Sequence, residues 1–169
     1  MIETLATYHI HIAGLVQGVG FRPFVWQLAN AYQLKGWVNN TIDGVHIEIN
    51  ATTSTAEKFN AALIQEAPEL AVIQKHSMSI VSNKVFSEFS IVESAATGEA
   101  SLMLTPDYAL CNHCKSEFHD STNRRYHYPF ITCTYCGPRY SIIHQLPYDR
   151  VNTAMENFPM CPECTTEYN

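Results

Sequence analysis

The cysteines of this chain lie entirely in its second half and constrain how that half can fold. All six fall between Cys111 and Cys164 as three Cys-x-x-Cys pairs, and residues 115–132 separate the first two pairs. Two such pairs at this spacing are typical of a closed structural site in which four thiolates bind one zinc ion. A short region rich in loops needs stabilisation of this kind. We therefore predict structural Zn²⁺ bound by Cys111, Cys114, Cys133 and Cys136.

The third pair, Cys161 and Cys164, stands 50 residues after the first, and each of these two pairs is followed by a glutamate and an aromatic residue. This similarity indicates an internal repeat. We interpret the third pair as half of a second zinc site, and we expect the chain to be a piece of a longer protein. The alternatives are a shared site or a redox pair, although the sequence here shows no helix start beside a strand, which is the usual setting of a redox dithiol. Other candidate ligands, which more often serve surface or packing roles, are His113, His119, His127 and His144.

A small, polar stretch from Glu93 to Ala100 separates the cysteine-free half from the cysteine-rich half. Such a composition is typical of a linker. The sequence therefore predicts a first domain over residues 1–94, a linker over 95–105, and a zinc-finger-like region over 106–169 that is truncated within its second repeat.

The stretch from Gly14 to Arg22 contains three glycines, no acidic residue and a terminal arginine. Glycines allow neighbouring backbone N–H groups to face one centre, which favours anion binding, and the first N–H groups of a following helix face the same centre. Arg22 adds a planar charged group that suits phosphate oxygens. These residues predict a phosphate site. The alternative is an ordinary glycine-rich connection with an exposed arginine.

The polar side of the first predicted strand carries two histidines. Tyr8, Ile10 and Ile12 alternate with His9 and His11, a pattern that indicates a half-buried strand. Two histidines at this spacing are candidate metal ligands, but no third ligand is evident in the sequence. We therefore interpret His9 and His11 as solvent-facing residues.

The rest of the first domain predicts an α+β fold. A helix follows the glycine loop, and Asp43-Gly44 indicates a hairpin between the next two strands. Ser54 and Glu57 form a capping box at the start of a second helix. Two further strands are predicted near residues 70–80 and 86–92. Apart from one extra strand segment or irregularity near the end, this order is the ferredoxin-like split βαβ arrangement, with two helices on one face of an antiparallel sheet.

Two motifs of the first domain resemble those of the acylphosphatase family and occur in the family's order. They are GLVQGVGFR at residues 14–22 and GWVNNTIDGV at residues 36–45. The resemblance implies that Asn40 orients an attacking water, so that Arg22 and Asn40 are the catalytic residues. It implies that the acyl phosphate is bound by Gln17, Gly18, Val19, Gly20, Phe21 and Arg22.

Two positions depart from that family's usual pattern. The family usually has a basic or similarly long residue where Asn39 stands and often has a glycine where Ala51 stands. The first difference is expected to weaken the attraction of substrate, whereas the second concerns only a strand end. The alternative reading of Asn40 is a residue that caps the turn before Asp43.

Nearly the whole chain resembles the HypF family of carbamoyltransferases of hydrogenase maturation. The similar segments are GFRPFV at residues 20–25, TPD at 105–107, RRYHYPF at 124–130, CTYCGPR at 133–139 and PYDR at 147–150. In that family an acylphosphatase-like domain precedes paired zinc fingers. Larger domains, which have no counterpart here, then pass a carbamoyl group with ATP to the thiol of a partner protein, HypE. The resemblance implies carbamoyl phosphate as substrate and HypE as partner of the full-length protein.

Charge and hydropathy argue against two other classes of protein. The formal net charge is −6, and residues 106–150 hold five basic against four acidic residues. Attraction to a nucleic-acid backbone should therefore be weak. No apolar run approaches membrane-spanning length, and the N-terminus lacks the features of a signal peptide. We expect neither nucleic-acid nor membrane binding, and a cytoplasmic location in which thiols stay reduced.

The sequence thus favours hydrolysis of carbamoyl phosphate as the first step of carbamoyl transfer. One alternative is a freestanding acylphosphatase with a zinc appendage that acts on acyl phosphates generally. Another is a zinc-dependent regulator that binds nucleic acid or protein.

Overall fold

The computed structural model describes residues 4–95 and 103–168, which contain five strands and four α-helices. Most of the predicted linker over 95–105 falls on residues 96–102, outside the described residues. The strands are β1 (Ala6–Leu15), β2 (Lys35–Thr41), β3 (Gly44–Ala51), β4 (Val72–Val81) and β5 (Phe89–Ile91). The helices are α1 (Phe21–Ala31), α2 (Thr53–Gln65), α3 (Asn112–His119) and α4 (Pro162–Tyr168).

The five strands form one sheet in the order β4-β1-β3-β2-β5. Strand β1 pairs antiparallel with both β3 and β4, and β2 pairs antiparallel with β3. The short β5 adds a parallel strand beside β2. Helices α1 and α2 contact the sheet and each other. This arrangement confirms the predicted α+β fold and its split βαβ order.

The main core lies between this sheet and the two helices. Alternate residues of the central strands, Ile10 and Ile12 of β1 and Ile47 and Ile49 of β3, are fully buried together with Phe59 of α2. Burial of an aliphatic or aromatic side chain of this size contributes about 1.5–3 kcal/mol. The period-two pattern of the strands therefore sets which face of the sheet receives the helices.

The start of α2 differs from the prediction. The predicted capping box of Ser54 and Glu57 is wrong, because Thr52 is the N-cap residue and its hydroxyl accepts the N–H of Thr55 at 3.4 Å. The hydroxyls of Thr52 and Thr55 also lie 3.1 Å apart. Thr52 precedes Ser54 in the chain and caps the helix there, so that Ser54 falls inside the first turn.

The cysteine-rich part has a much smaller apolar core. Its buried cluster consists of Cys114, Ile131 and Cys136, against which Leu110 and Phe118 pack. Short 3-10 turns at Tyr140–Ile142 and Arg150–Asn152 complete this part between α3 and α4. None of the helices among the described residues is long and apolar enough to cross a bilayer.

Gly14 is one of the glycines of the fold that cannot accept a side chain without strain in the backbone. It follows a register irregularity between β1 and β4, has a φ of +132°, and a Cβ added there would lie 2.1 Å from the carbonyl oxygen of Val72. We predict that Gly14→Ala lowers the free energy of unfolding by about 1–3 kcal/mol, the usual cost of such backbone strain. Urea unfolding should show this loss, with Ser79→Ala on exposed β4 as the control. A free energy of unfolding within about 0.5 kcal/mol of that of the unmodified chain would contradict the predicted strain at position 14.

Candidate phosphate site and metal centre

The connection between β1 and α1 is a loop with unpaired backbone donors. Gly18 and Gly20 adopt left-handed conformations, with φ of +71° and +76°. Among residues 4–95 and 103–168, no acceptor bonds the N–H groups of Gly18, Val19 or Gly20. The Val19 and Phe21 side chains are buried in the core beneath the loop, so only their backbone faces a ligand. The loop therefore has the donors that an anion site requires.

Arg22 extends from the first turn of α1 and is bonded on two sides. Its Nη2 lies 2.6 Å from Oδ1 of Asp149 and 3.4 Å from the carbonyl oxygen of Tyr148. Its Nη1 donates to the hydroxyl of Ser94 at 3.2 Å. Only 14% of the arginine side chain is exposed. The carboxylate of Asp149 thus neutralises the guanidinium of Arg22.

The Asn40 amide lies against this guanidinium. Asn40 is 1% exposed and stands near the end of β2. With its oxygen toward Arg22 it accepts from Nε at 3.1 Å and from Nη2 at 3.2 Å. The opposite orientation places its nitrogen 3.3 Å from the carbonyl of Tyr148. The first orientation is favoured, because it turns the amide oxygen toward two N–H donors of Arg22, to which an amide NH₂ cannot bond.

The Gln17 side chain is fully hydrogen-bonded within the protein and does not face a ligand. It is 4% exposed, and its Nε2 donates to the carbonyls of Thr41 at 2.7 Å and Gly44 at 3.0 Å. Its Oε1 accepts the N–H of Tyr148 at 2.8 Å. Since both ends of the side-chain amide are occupied, Gln17 contributes its backbone to the loop and ties the loop to the β2–β3 turn.

The cysteine-rich part covers the loop through residues that were not predicted as site residues. Arg139 is 6% exposed and its Nε donates to the carbonyl of Gly18 at 2.6 Å. The Thr105 hydroxyl donates to the carbonyl of Gln17. A Cβ added at Gly20 would lie 3.0 Å from the Tyr135 ring. These contacts join residues that are more than 80 positions apart, so no local pattern could reveal them.

Four sulfurs form a compact metal-binding group, as predicted. The Sγ atoms of Cys111, Cys114, Cys133 and Cys136 all lie within 4.8 Å of one another. Neighbouring sulfurs are 3.5–3.8 Å apart. A tetrahedral ion with metal–sulfur bonds of about 2.3 Å places its sulfurs about 3.8 Å apart. The group therefore has the size of a closed tetrathiolate site.

The surroundings of these thiols alter their acidity in opposite directions. Burial raises the pKa of Cys114, and the hydrogen bonds between its thiol and the other three sulfurs raise it further. Burial also acts to raise the pKa of Cys136, but hydrogen bonds outweigh it and lower that pKa to about 6. A thiol that ionises this easily gives an incoming cation its first thiolate ligand.

Cys161 and Cys164 lie apart from this group, at the start of α4. The guanidinium of Arg124 is 3.8 Å from the sulfur of Cys161 and 3.5 Å from that of Cys164. The contact with Arg124 lowers the pKa of Cys164. No third histidine, cysteine or carboxylate ligand joins them within the two described ranges.

Comparison with known proteins gives matches for both parts. Residues 8–91 match the acylphosphatase family model and residues 110–143 match the HypF finger model. Carbamoyltransferase HypF of Synechocystis sp. is 42% identical over 158 residues, which cover 94% of this chain and 20% of that protein. An acylphosphatase of Pseudothermotoga lettingae is 37% identical over 84 residues, which cover 49% of this chain and 93% of that protein.

A solved structure also resembles the chain over almost its whole length. The crystal structure of full-length HypF in the phosphate- and nucleotide-bound form superposes with a TM-score of 0.94 at 42% identity, over 99% of this chain and 22% of that one. The chain thus spans about a fifth of the length of the HypF relatives that it matches. It belongs to the acylphosphatase family, and its acylphosphatase domain followed by a HypF finger is the arrangement of the N-terminal region of HypF carbamoyltransferases.

Proposed function

We propose that this chain binds carbamoyl phosphate at the loop between β1 and α1 and cleaves it to carbamate and phosphate. The proposal rests on two observations: Gly18, Gly20, Arg22 and Asn40 line one groove, and the Asn40 amide lies against the Arg22 guanidinium. Arg22 and Asn40 line an open groove of about 2100 Å³ between the two parts of the chain, through which a small substrate can enter.

The proposed reaction needs positioned charge more than a strong base. The loop N–H groups and Arg22 hold the phosphoryl oxygens and balance the charge that builds on them. Asn40 orients a water, whose oxygen forms a bond to phosphorus as the bond from phosphorus to the carbamate oxygen breaks. The water's two protons stay with the phosphate, so dianionic substrate and water give carbamate and dihydrogen phosphate. Carbamate is a good leaving group, which makes positioning sufficient.

Asp149 occupies the place that a phosphoryl oxygen would take beside Arg22. Its carboxylate lies 2.6 Å from Nη2, a distance typical of a charged hydrogen bond to an anion. Substrate therefore competes with Asp149 for the arginine, and the segment Pro147–Asp149 has to shift when phosphate binds. This contact keeps the guanidinium paired, since an unpaired buried charge costs several kcal/mol.

We further propose zinc as the ion of the four-cysteine group, because four thiolates in a closed tetrahedral set favour it. The ion would be structural, since Cys114 and Cys136 are buried and the group leaves no open ligand position. In a longer protein of the HypF type, carbamate would pass to further domains and then to the thiol of HypE. Reduced thiols at the metal group suit a cytoplasmic location.

We predict that Arg22→Ala lowers the rate of phosphate release from carbamoyl phosphate about 100- to 1000-fold, the usual cost of losing one charged donor to a transition state. Lys35→Ala, which removes an exposed lysine of β2, is the matched control and should leave the rate unchanged. Unaltered release by Arg22→Ala in a folded protein would contradict the proposal. Equal turnover of acetyl, benzoyl and carbamoyl phosphate would favour a general acylphosphatase instead.

We predict that Asp149→Asn tightens the binding of inorganic phosphate several-fold, because the substitution keeps the shape of the side chain and removes its charge. Calorimetric titration of the full chain with phosphate measures the effect. Asp120→Asn, at an exposed aspartate of the finger, should bind phosphate as the unmodified chain does. Equal or weaker binding by Asp149→Asn would show that Asp149 does not compete with the anion.

We predict that Cys114→Ser loses one equivalent of zinc and that its residues 103–160 become sensitive to protease, because the small core around Ile131 cannot hold this part folded alone. Metal content by mass spectrometry and limited proteolysis give the two readouts. Cys161→Ser is the control, since it leaves the four-sulfur group intact. A resistant, metal-free Cys114→Ser protein would exclude a structural role for the ion.

A further inference from the structure

Four side chains that the proposed function does not use meet on the face of the sheet away from α1 and α2. His11 of β1 stands directly opposite His46 of β3 in the strand register, and their rings stack with centroids 4.3 Å apart. Asp43, in the turn before β3, reaches the same place. His9 completes the group, with its ring 5.1 Å from that of His46.

We infer that His11, Asp43 and His46 form a second metal site, for a divalent ion of the Zn²⁺ type. The ligand atoms of these three residues all lie within 4.8 Å of one another. Nε2 of His46 lies 3.1 Å from Oδ1 of Asp43, and Nε2 of His11 lies 3.8 Å from Oδ2. Bonds of about 2.0–2.2 Å in a tetrahedral site require ligand atoms about 3.3 Å apart, so small side-chain adjustments would accommodate the ion.

One tautomer of His46 presents a free ring nitrogen to the Asp43 carboxylate, whereas Nε2 of His11 donates to the backbone carbonyl of Asp43 at 3.2 Å and has to give up that bond to hold an ion. Nδ1 of His46 lies 2.9 Å from Nε2 of His9, while its other nitrogen faces Asp43. A neutral imidazole carries a single N–H, so one hydrogen bond at Nδ1 determines whether Nε2 has a free lone pair. If Nδ1 donates to His9, the lone pair of Nε2 points at the carboxylate, an arrangement that a cation between them stabilises.

Two imidazoles and one carboxylate suit zinc and its neighbours better than magnesium or calcium, which prefer oxygen ligands alone. The side chains of His11, Asp43 and His46 are 26%, 23% and 19% exposed, so an ion can reach them and water can fill the remaining position. Three protein ligands and one water would make this an open site, unlike the closed four-cysteine group.

The place of the cluster in the fold suggests what an ion would do there. Asp43 belongs to the β2–β3 turn, whose backbone also accepts two hydrogen bonds from Gln17 of the phosphate loop. An ion shared by β1, β3 and this turn would hold the hairpin that carries Asn40. The inference does not depend on the proposed hydrolysis, because it concerns other side chains on another face of the sheet.

The test is a count of bound zinc on the full chain with Cys161→Ser and Cys164→Ser as background, which removes the third cysteine pair as a competing site. We expect two zinc ions per chain in this background and one after a further His46→Gln or His11→Gln change. His76→Gln is the matched control, since His76 bonds Asn60 of α2 on the opposite face and should retain both ions. One ion in the background protein, or two after both cluster changes, would overturn the site.

A second measurement needs no change to the cluster. In the same background protein, the ring ¹⁵N resonances of His11 and His46 should move on addition of the second zinc equivalent, whereas those of His76 should not. Zinc that leaves the His11 and His46 resonances in place would overturn the site even if a second ion binds elsewhere.

Discussion

Arg139 joins the four-cysteine group to the glycine loop between β1 and α1, and the rest of the proposed phosphate site depends on that connection. Its buried guanidinium donates to the carbonyl of Gly18 at 2.6 Å and to the carbonyl of the metal-group residue Cys133 at 2.9 Å. An arginine can hold two carbonyls at fixed separation because its donors form a rigid planar fork. A metal ion that orders the cysteine-rich part would therefore also order the Gly18 loop, although that loop belongs to a domain with its own, larger core.

The cysteine-rich part also places Tyr148 and Asp149 against Arg22 and Asn40, and the contacts of these two residues fix the positions of the Arg22 and Asn40 side chains. The N–H of Tyr148 bonds Gln17, while Asp149 pairs with Arg22. A guanidinium that is only slightly exposed requires a counter-charge, and Asp149 of the cysteine-rich part supplies it. The cysteine-rich part thus contributes to the proposed phosphate site, which distinguishes this chain from an acylphosphatase domain alone.

The sequence could predict what local periodicity and spacing determine. Alternation along β1, the glycines before α1 and the two Cys-x-x-Cys pairs are patterns within short stretches of the chain, and the structure confirms the predicted strand, helix and four-sulfur group. Contacts such as that of Arg22 with Asp149 join residues 127 positions apart, so no local pattern in the sequence indicates them. The pairing of His11 with His46 could not be predicted from the local pattern alone. The Asp43-Gly44 turn sets the hairpin register, but the neighbour of β3 across the sheet is β1, which the turn does not specify.

The most direct test of the central claim is the fate of isotope during hydrolysis of carbamoyl phosphate in H₂¹⁸O. If the loop and Arg22 hold the phosphoryl group while Asn40 directs water at phosphorus, each phosphate released by the chain carries one ¹⁸O, which ³¹P NMR resolves. We expect this label in the enzyme-dependent phosphate. Phosphate released without the label would mean that water attacks the carbonyl carbon instead, and it would contradict the placement of the reacting group in the loop.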